Sequence, residues 1–267
     1  MGSPQNRSAL RGAVVLFGLL DLVITLGFYL RWEWATSAWP WPVNPLDFLL
    51  VSSFLAGATV VILWLGLVGD WAAATGASAN VGLMNLGAAV YLIDKYRDAH
   101  DPRFLHRGLA FAVFAAANLA VLVWSSRQPF RDRRPAPRFL RISFGVFSIV
   151  LTFAAVQLLR RSPTIFPWTL EPEISTMFGW LFAGSAVYFI YGFLRPSWHN
   201  MRGQLLAFLA YDVVLILPYA ALFPTVEPEH LWSLELYMVV LGYSTLLAIW
   251  YLFIDKRTRG WRVQGAA

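Results

Sequence analysis

The stretch from Trp39 to Pro45, WPWPVNP, lies between two strongly apolar runs and decides how the chain is interpreted. A related stretch, FPWTLEP, returns at Phe166 to Pro172. Tryptophan favours the headgroup layer of a bilayer. Proline is tolerated in the first turn of a helix, where its missing N–H would have no partner anyway. The two stretches therefore predict loops at a membrane surface, each of which ends one spanning helix and begins another.

The composition of the 267 residues supports this interpretation, because 58% are hydrophobic, only 13% are charged and the mean hydropathy is +0.57. An ordinary soluble domain carries roughly 25% charged residues. A helix of about 20 apolar residues crosses a hydrocarbon core, and lipid offers no partner for an unpaired amide. We therefore expect an all-α integral membrane protein with eight transmembrane helices. The eight apolar segments are Gly12–Leu30, Asp47–Val68, Ala77–Ile93, Gly108–Trp124, Phe139–Leu159, Ile174–Leu194, Gln204–Phe223 and Leu234–Ile254.

Positive residues are concentrated in alternate loops, which indicates topology rather than a nucleic-acid partner. If the amino terminus is cytoplasmic, the segments on that side hold fourteen Lys and Arg residues and three acids, whereas the outer segments hold seven and ten. Short cytoplasmic loops are enriched in Lys and Arg, so we expect both termini in the cytoplasm. The basic segment Arg127–Arg138 is interpreted as an anchor on anionic lipids. Membrane lipids are thus expected partners and nucleic acid is not.

The second half of the chain repeats the first at a shift of 127 residues without gaps. Tryptophan and proline pairs fall in this one register, including Pro40 with Pro167, Trp41 with Trp168, Pro45 with Pro172 and Trp71 with Trp198. We therefore predict a duplication, with a first four-helix unit at 1–126, a basic linker at 127–138 and a second four-helix unit at 139–267. Because four spans return the chain to its starting side, the two units are parallel repeats.

Two interpretations of the tryptophan-rich loops remain open. In the first, they are interfacial anchors that also start the next helix, with Asn44 as N-cap and Glu171 as a weaker cap. In the second, they form a paired lid over an outward-facing cavity between the units. Both interpretations involve the same residues, which are Trp39, Trp41, Pro45, Trp168 and Pro172.

Two acids, Asp21 and Asp212, lie inside predicted spans, where ionisable groups are costly and often functional. The shift of 127 places Ser148 opposite Asp21 and Asn85 opposite Asp212. If the first and third helices of a unit touch, Asp21 bonds to Asn85 and Ser148 to Asp212. These contacts would either fix packing, titrate a proton, or hold a cationic substrate. The candidate ligand-binding residues are Asp21, Asn85, Ser148, Asp212, Tyr211 and Gln157.

Catalytic and metal signals are weak in this sequence. The chain has no cysteine, so disulfides and thiolate nucleophiles are excluded, and no phosphate loop, nucleophile elbow or zinc-protease motif occurs. The four histidines are predicted in loops. Glu227, Glu229 and His230 resemble a metal cluster, but such loop clusters arise readily by chance. We therefore expect no catalytic residue, no metal and no cofactor.

The run WPWPVNP, followed by Asp70-Trp71, resembles a group of uncharacterised bacterial multi-pass membrane proteins. They carry W-P-W-P-L-T-P, an aliphatic helix and then D-W before a basic helix start. The resemblance covers about forty residues of the first unit. Asn44 stands where Thr is usual, and DWAAA lacks the arginines that normally follow. The group has no assigned activity, so the resemblance implies a bacterial inner-membrane protein and no substrate.

Three functions remain open. The first is a carrier or receptor for a small hydrophobic or cationic molecule bound between the two repeats, which the duplication and the scarce buried acids favour. The second is a membrane-embedded enzyme acting on a lipid or isoprenoid, which requires Asp21 and Asp212 to converge. The third is a structural or assembly subunit, for which a tightly packed interior would be the sign.

Overall fold

The computed structural model describes residues 4–39, 41, 44–132 and 134–259, with side chains from Ser8 onward. Pro40 and Pro42 of the opening motif, with Arg133 and Arg262 of the charge count, lie outside the described residues. The α-helices of the described residues are α1 (Pro4–Tyr29), α2 (Glu33–Thr36), α3 (Pro45–Val68), α4 (Ala74–Ala99), α5 (Pro102–Ser125), α6 (Arg138–Leu159), α7 (Pro172–Leu194), α8 (Trp198–Ala220) and α9 (Leu231–Ile249).

Three short turns extend these helices. A 3₁₀ turn, Trp71–Ala73, precedes α4; another, Pro228–His230, precedes α9; and a π-helical turn, Trp250–Ile254, follows α9. Within the described residues no named β-strand occurs, and eight helices are long and apolar enough to cross a membrane. The prediction of an all-α membrane protein with eight spans is confirmed.

The helix that follows the WPWPVNP motif begins as its sequence predicts. Asn44 directly precedes Pro45, and its side-chain oxygen accepts a hydrogen bond from the backbone N–H of Leu46 at 3.0 Å. The Asp47 side chain accepts one from the backbone N–H of Asn44 at 2.8 Å. This reciprocal arrangement is a capping box. The equivalent residue Glu171 makes no side-chain cap. Side-chain hydrogen bonds therefore fix the start of α3, whereas the start of α7 depends on its proline, Pro172.

The helices pair in the same way in both halves of the chain. Consecutive spans pack together as α1 with α3, α4 with α5, α6 with α7, and α8 with α9. Two further contacts cross between the halves, α3 with α8 and α4 with α7. The result is two rows of four helices, α1-α3-α8-α9 and α6-α7-α4-α5, and each row takes two helices from each half. The first and third helices of a unit, α1 with α4 and α6 with α8, form no main contact, so the condition for the bonds of Asp21 to Asn85 and of Ser148 to Asp212 is not met.

The two halves consequently share their cores. One cluster of buried side chains near the end of α3 joins Trp64 to Phe144, Phe189 and Trp198. A second cluster, nearer the start of α3, joins Leu50 to residues of α6, α7, α8 and α9. Both clusters include residues of each half, although the second takes its buried members mainly from the second half.

Small residues bring the helices close where the halves meet. A Cβ at Gly57 would lie 3.2 Å from the backbone oxygen of Ala207, and one at Gly184 would lie 2.6 Å from that of Asn80. Small residues at such positions let membrane helices approach closely. The interface between the halves is therefore tightly packed at these depths.

Two arginines satisfy the carbonyls at the ends of α3 and α7. The Arg11 Nε donates to the Gly66 oxygen at 3.0 Å, and the Arg141 Nε donates to the Phe193 oxygen at 3.1 Å. Gly66 and Phe193 correspond under the shift of 127. Cationic side chains stabilise helix C-termini, where carbonyls have no partner within the helix. These cations thus have a structural role besides indicating topology.

Candidate functional site

Buried polar side chains gather at the end of the bundle that holds the α3–α4 turn, the α5–α6 loop and the start of α8; we call this end the basic face. Asp70 comes from the turn, Asp132 from the loop, and His199 and Arg202 from α8. All four are buried. Because the turn belongs to the first half and α8 to the second, the site lies where the halves meet. We call it the basic-face cluster.

Two carboxyl groups of this cluster differ in charge state. Burial raises the pKa of Asp70 to about 6, even though the Arg131 backbone donates a hydrogen bond to it. Burial also favours the neutral form of Asp132, but hydrogen bonds from Arg134 outweigh it and lower the pKa of Asp132 below its ordinary value. The Arg134 Nε lies 2.9 Å from Asp132 Oδ1 and its Nη2 lies 2.5 Å from Oδ2. Asp132 is thus a fixed ion-pair partner, whereas Asp70 titrates just below neutral pH.

Several other buried polar atoms of the cluster make no well-directed hydrogen bond to the described residues. Native proteins rarely leave such atoms without a partner, and groups of them mark the position of water or a ligand. Asp132 lies beside the His199 ring, yet neither ring nitrogen is aligned for a good bond. The atoms are Asp70 Oδ1, Asn200 Oδ1, Gln204 Oε1, the His199 ring nitrogens, the Tyr188 hydroxyl and the indole nitrogens of Trp64 and Trp198.

Aromatic rings surround these polar atoms. The Arg202 guanidinium lies 5.8 Å from the Trp64 ring, and that of Arg134 lies 5.8 Å from the Trp198 ring. Both distances are within the range of cation–π attraction. A Cβ at Gly203 would come within 2.8 Å of the Tyr188 hydroxyl and 3.3 Å of Trp64. Glycine at this position therefore lets the hydroxyl and the indole approach α8.

The polar character of this site belongs to one half only. The shift of 127 places Ala72, Ala73, Thr75 and Ala77 opposite His199, Asn200, Arg202 and Gln204. The start of α4 is thus almost entirely apolar where the start of α8 is polar. These polar groups therefore distinguish the two halves at positions that the shift of 127 makes equivalent.

The α5–α6 loop is bonded to neighbouring segments of the basic face. The Trp198 amide donates to the Arg134 oxygen at 3.0 Å, and Arg134 Nη1 reaches the Arg257 and Thr258 oxygens at 3.3 and 3.2 Å. Arg131 Nη1 donates to the Val68 oxygen at 2.8 Å. Phe130 lies against the His199 ring, with 4.2 Å between centroids. The loop therefore covers the cluster and is held by its arginines.

The predicted intramembrane residues are bonded differently from expectation. Asp21 Oδ2 accepts a hydrogen bond from Thr59 of α3 at 2.7 Å, whereas Asn85 Nδ2 donates to the Val81 oxygen one turn earlier in α4. The predicted bond between Asp21 and Asn85 is wrong, because α1 packs on α3. Asp212 is fully buried and its Oδ2 contacts the hydroxyl of Ser244 on α9 at 2.8 Å.

The remaining predicted ligand-binding residues are not brought together around Asp212. Ser148 donates to the Phe144 oxygen of its own helix at 2.7 Å, so the predicted bond from Ser148 to Asp212 is also wrong. Gln157 Oε1 accepts from Ser162 at 3.0 Å near the opposite face. Tyr211 adjoins Asp212 in sequence, and its ring packs edge-on against Phe54 at 5.2 Å.

The tryptophan-rich loops meet the bundle at the opposite face. Trp41 packs against Tyr91 and Phe104, with ring centroids 6.0 and 5.7 Å apart, and Trp39 lies 6.4 Å from Trp41. Trp168 is buried, and its Nε1 donates to Asp47 Oδ1 at 2.9 Å. Trp168 therefore does not fit the interpretation as an interfacial anchor. It joins the loop of the second half to α3 of the first half.

The predicted loop cluster near His230 does converge. His230 Nε2 lies 3.6 Å from Glu229 and 4.0 Å from Glu227, and Nδ1 lies 2.7 Å from the Phe166 oxygen. An imidazole that is hydrogen-bonded to the chain and lies beside two exposed carboxyl groups has this same geometry, and we assign no metal to it. Two other histidines depart from the loop prediction, since His106 lies in α5 and His199 in α8.

An open groove of about 520 Å³ lies away from the basic-face cluster, on the exposed side of α5 between Ala116 and Gln128. Its lining is mainly apolar, and Arg127 lies at its end. This arrangement suits a lipid acyl chain with an anionic headgroup. It provides none of the buried polar atoms that the cluster offers.

No protein-family model, curated protein or solved structure matches this chain. Its function must therefore be argued from the chemistry of its own residues. The start of α8 carries a sequence signal for this cluster that the motifs and the repeat do not include. His199, Asn200 and Arg202 directly precede the predicted span Gln204–Phe223, and the structure includes them with Gln204 in the first two turns of α8. Polar residues in a membrane helix are costly and often functional.

Proposed function

We propose that this protein is a membrane carrier or receptor that binds a small cationic molecule between its two halves, at the basic-face cluster. The observation that carries the proposal is the buried Asp70 carboxyl, whose Oδ1 makes no hydrogen bond to the described residues. A buried carboxylate without a partner is costly unless a cation or a donor reaches it. The cluster lies where both halves contribute side chains, as a molecule bound between repeats requires.

The chemistry of the neighbouring groups favours a cation over an anion. Asn200 Oδ1 and Gln204 Oε1 are buried acceptors that need donors, as Asp70 Oδ1 does. The indole rings of Trp64 and Trp198 already face guanidinium groups, and aromatic faces attract organic cations. Arg134 pairs with Asp132. Arg131 and Arg202 lie close enough to favour the charged form of Asp70, but Asp70 Oδ1 accepts no hydrogen bond from the described residues and so keeps a place for a donor. An alkylammonium or guanidinium compound fits this set of acceptors and rings.

The proposal includes the orientation and location that the sequence predicts. The basic face carries the Lys- and Arg-rich segments and is proposed to be cytoplasmic, in a bacterial inner membrane. The cationic molecule would then enter from the cytoplasm, and lipids would contact the exposed outer faces of the helices. Both halves pair their helices alike, which supports the proposed parallel duplication.

The test is binding of ethylammonium, whose N–H groups can donate to these acceptors, to the purified full-length chain in lipid nanodiscs. We expect saturable binding at pH 7.5, at least tenfold weaker binding by the variant Asp70→Asn, and no change in the variant Asp101→Asn. Asp101 is the matched control because it lies in a loop at the opposite face. Equal binding by wild type and Asp70→Asn, or no binding to a panel of alkylammonium and guanidinium ions, would overturn the proposal. Uptake into proteoliposomes then separates a carrier from a receptor.

A second candidate function is a structural or assembly subunit. The close contacts of Gly57 with Ala207 and of Gly184 with Asn80 favour it, because a packed interface leaves little room for a molecule at that depth. Isolation of the native protein with a stoichiometric membrane partner, together with no cation binding, would support this alternative. A lipid enzyme receives no such support, since Asp21 contacts α3 and Asp212 contacts α9 on the far side of α8.

A further inference from the structure

Asp212 is a buried acid that the proposed binding site does not use. It lies in α8, eight residues beyond Gln204, which places it about 12 Å deeper in the bundle at 1.5 Å per residue. Its Oδ2 lies 2.8 Å from Ser244 Oγ and 2.9 Å from Thr245 Oγ1. Its Oδ1 makes no hydrogen bond to the described residues. Two hydroxyl groups are thus its polar partners.

The hydrogens available to these contacts can be counted. Ser244 Oγ lies 2.8 Å from the Val240 oxygen and 3.1 Å from the Leu241 oxygen, as well as 2.8 Å from Asp212. A hydroxyl carries one hydrogen and a carbonyl carries none. If Ser244 donates to a carbonyl, the hydrogen between Ser244 and Asp212 must belong to the carboxyl group. Thr245 then donates to the same Oδ2, and every short contact has a donor.

An ionised Asp212 fits these surroundings poorly. The Ser244 hydroxyl would have to donate to Asp212 and so to neither the Val240 nor the Leu241 carbonyl. Asp212 Oδ1 would carry part of the negative charge with no hydrogen-bond donor among the described residues. No charged side chain among the described residues acts on the carboxyl, and the one titratable group beside it is the Tyr211 phenol. An isolated carboxylate inside the membrane is costly. A neutral carboxylic acid avoids that cost.

Asp47 shows the contrasting arrangement in the same protein. It is also buried, but Oδ1 accepts from Trp168 Nε1 at 2.9 Å and Oδ2 accepts from the Asn44 amide at 2.8 Å. These N–H groups donate and cannot accept. Both oxygens of Asp47 must therefore be acceptors, as in a carboxylate. The partners of Asp212 differ because hydroxyls accept as well as donate.

We propose that Asp212 is a proton-binding residue within the membrane and is a neutral carboxylic acid at pH 7. The proton lies on Oδ2 and is donated to Ser244, which donates in turn to the Val240 carbonyl. A carrier that exchanges a cation for a proton needs such a group, and this coupling rests on the proposed function. The binding of one monovalent cation and the release of one proton leave the charge of the protein unchanged.

Infrared difference spectroscopy tests the protonation state without any ligand. We expect wild type in nanodiscs at pH 7 to show the carbonyl stretch of a protonated carboxyl group that is missing from Asp212→Asn. The variant Asp47→Asn is the control and should keep that band. Asparagine is a neutral replacement of nearly the same shape, and its amide nitrogen at the place of Oδ2 donates to Ser244 as the carboxyl group does. Loss of a carboxylate band, rather than an acid band, in Asp212→Asn would overturn the proposal.

Proton release on cation binding tests the coupling separately. At pH 7.5 we expect wild type to release about one proton per ethylammonium bound and Asp212→Asn to bind it without that release. Equal proton release by both would reject the coupling and leave the binding site intact. If wild type shows the acid band but binds no cation, the proposed function fails while the protonation of Asp212 stands.

Discussion

At the scale of single residues, Asp70 and Asp132 show how neighbours determine charge state. Both are buried at the basic face. Arg134 reaches Asp132 with its guanidinium and its backbone amide, whereas Asp70 receives one backbone bond from Arg131 and keeps an oxygen without a partner. Burial costs each ionised acid, but only Asp132 recovers the cost through an ion pair. Asp70 is therefore the acid whose charge can respond to pH and to a ligand.

Asp70 should make the stability of the protein depend on pH. Its pKa is raised to about 6, so between pH 4 and pH 6 the folded state holds a proton that the unfolded state releases. The stabilisation is complete below the ordinary pKa of an aspartate and is lost as pH rises through 6. We expect wild type to lose about 2 kcal/mol of free energy of unfolding relative to Asp70→Asn across this window.

The measurement is chemical unfolding of both proteins in the same detergent at pH 4, 5, 6 and 7. The difference in free energy of unfolding between wild type and Asp70→Asn should change up to about pH 6 and then stay constant. Asp101→Asn is again the control, since Asp101 pairs with Arg103 and its pKa is lowered rather than raised. A difference between wild type and Asp70→Asn that is the same at every pH would show that Asp70 does not titrate in this range.

Cation binding should depend on pH in the opposite direction. The ionised form of Asp70 attracts a cation, and its share grows as pH rises through about 6. In the Asp212→Asn background, where the proton release from Asp212 is removed, we expect ethylammonium affinity to rise about tenfold from pH 5 to pH 7. The affinity of the double variant Asp70→Asn/Asp212→Asn should change little over the same range. Titration calorimetry at several pH values measures both. Stronger binding by Asp212→Asn at pH 5 than at pH 7 would contradict the role of Asp70.

At the scale of helices, existence and starting points were predictable, whereas pairing was not. Apolar length alone indicates the spans, and the order Asn44, Pro45, Asp47 specifies the start of α3 through local bonds. Pairing depends on which small residues face each other across the bundle. Gly184 meets Asn80 and Gly57 meets Ala207, and no local pattern relates these distant positions. The predicted contact between Asp21 and Asn85 failed for this reason.

The contact at Gly184 should be intolerant of a methyl group. A Cβ there would lie 2.5 Å from Met84 Cγ and 2.6 Å from the Asn80 backbone oxygen. A flexible Met side chain can move, but the backbone of α4 cannot without separating α4 from α7. We expect Gly184→Ala to cost about 1–3 kcal/mol of stability. Gly242→Ala is the control, since nothing lies within 4 Å of a Cβ there, and thermal unfolding in detergent compares the two.

The hydrogen bonds of Arg134 should hold the segments of the basic face together. Arg134 joins Asp132 to the Arg257 and Thr258 oxygens, so Arg134→Ala should free the loop and the segment after the π-helical turn. We expect hydrogen exchange of amides in 255–259 to become roughly tenfold faster, because bonds to charged groups contribute about 1.5–3 kcal/mol each.

Arg103→Ala is the matched control for Arg134→Ala. Arg103 pairs with Asp101 two residues before it, as Arg134 does with Asp132, but it bonds to no other segment in the described contacts. Exchange at 255–259 should therefore stay unchanged in Arg103→Ala. Similar exchange in both variants would show that other contacts hold the basic face closed.

At the scale of the whole molecule, the two halves are interleaved rather than side by side. The contacts of α3 with α8 and of α4 with α7 put helices of both halves in each row, and the basic-face cluster forms where the rows meet. The shift of 127 identified equivalent positions but not this exchange. A comparison of the two halves at this shift finds the residues that they share. The basic-face cluster depends instead on residues in which they differ, which are His199, Asn200, Arg202 and Gln204.

The orientation of the bundle can be tested with single cysteines, because the chain contains none. Ser126 and Thr225 are exposed and lie at opposite ends of the bundle, the first before the basic loop and the second before α9. The distribution of Lys and Arg predicts that Ser126 lies in the cytoplasm. In intact cells, a membrane-impermeant maleimide should label Thr225→Cys and reach Ser126→Cys only after lysis. Labelling of Ser126→Cys alone in intact cells would show the opposite orientation of the bundle. The cationic molecule would then enter the basic-face cluster from outside the cell.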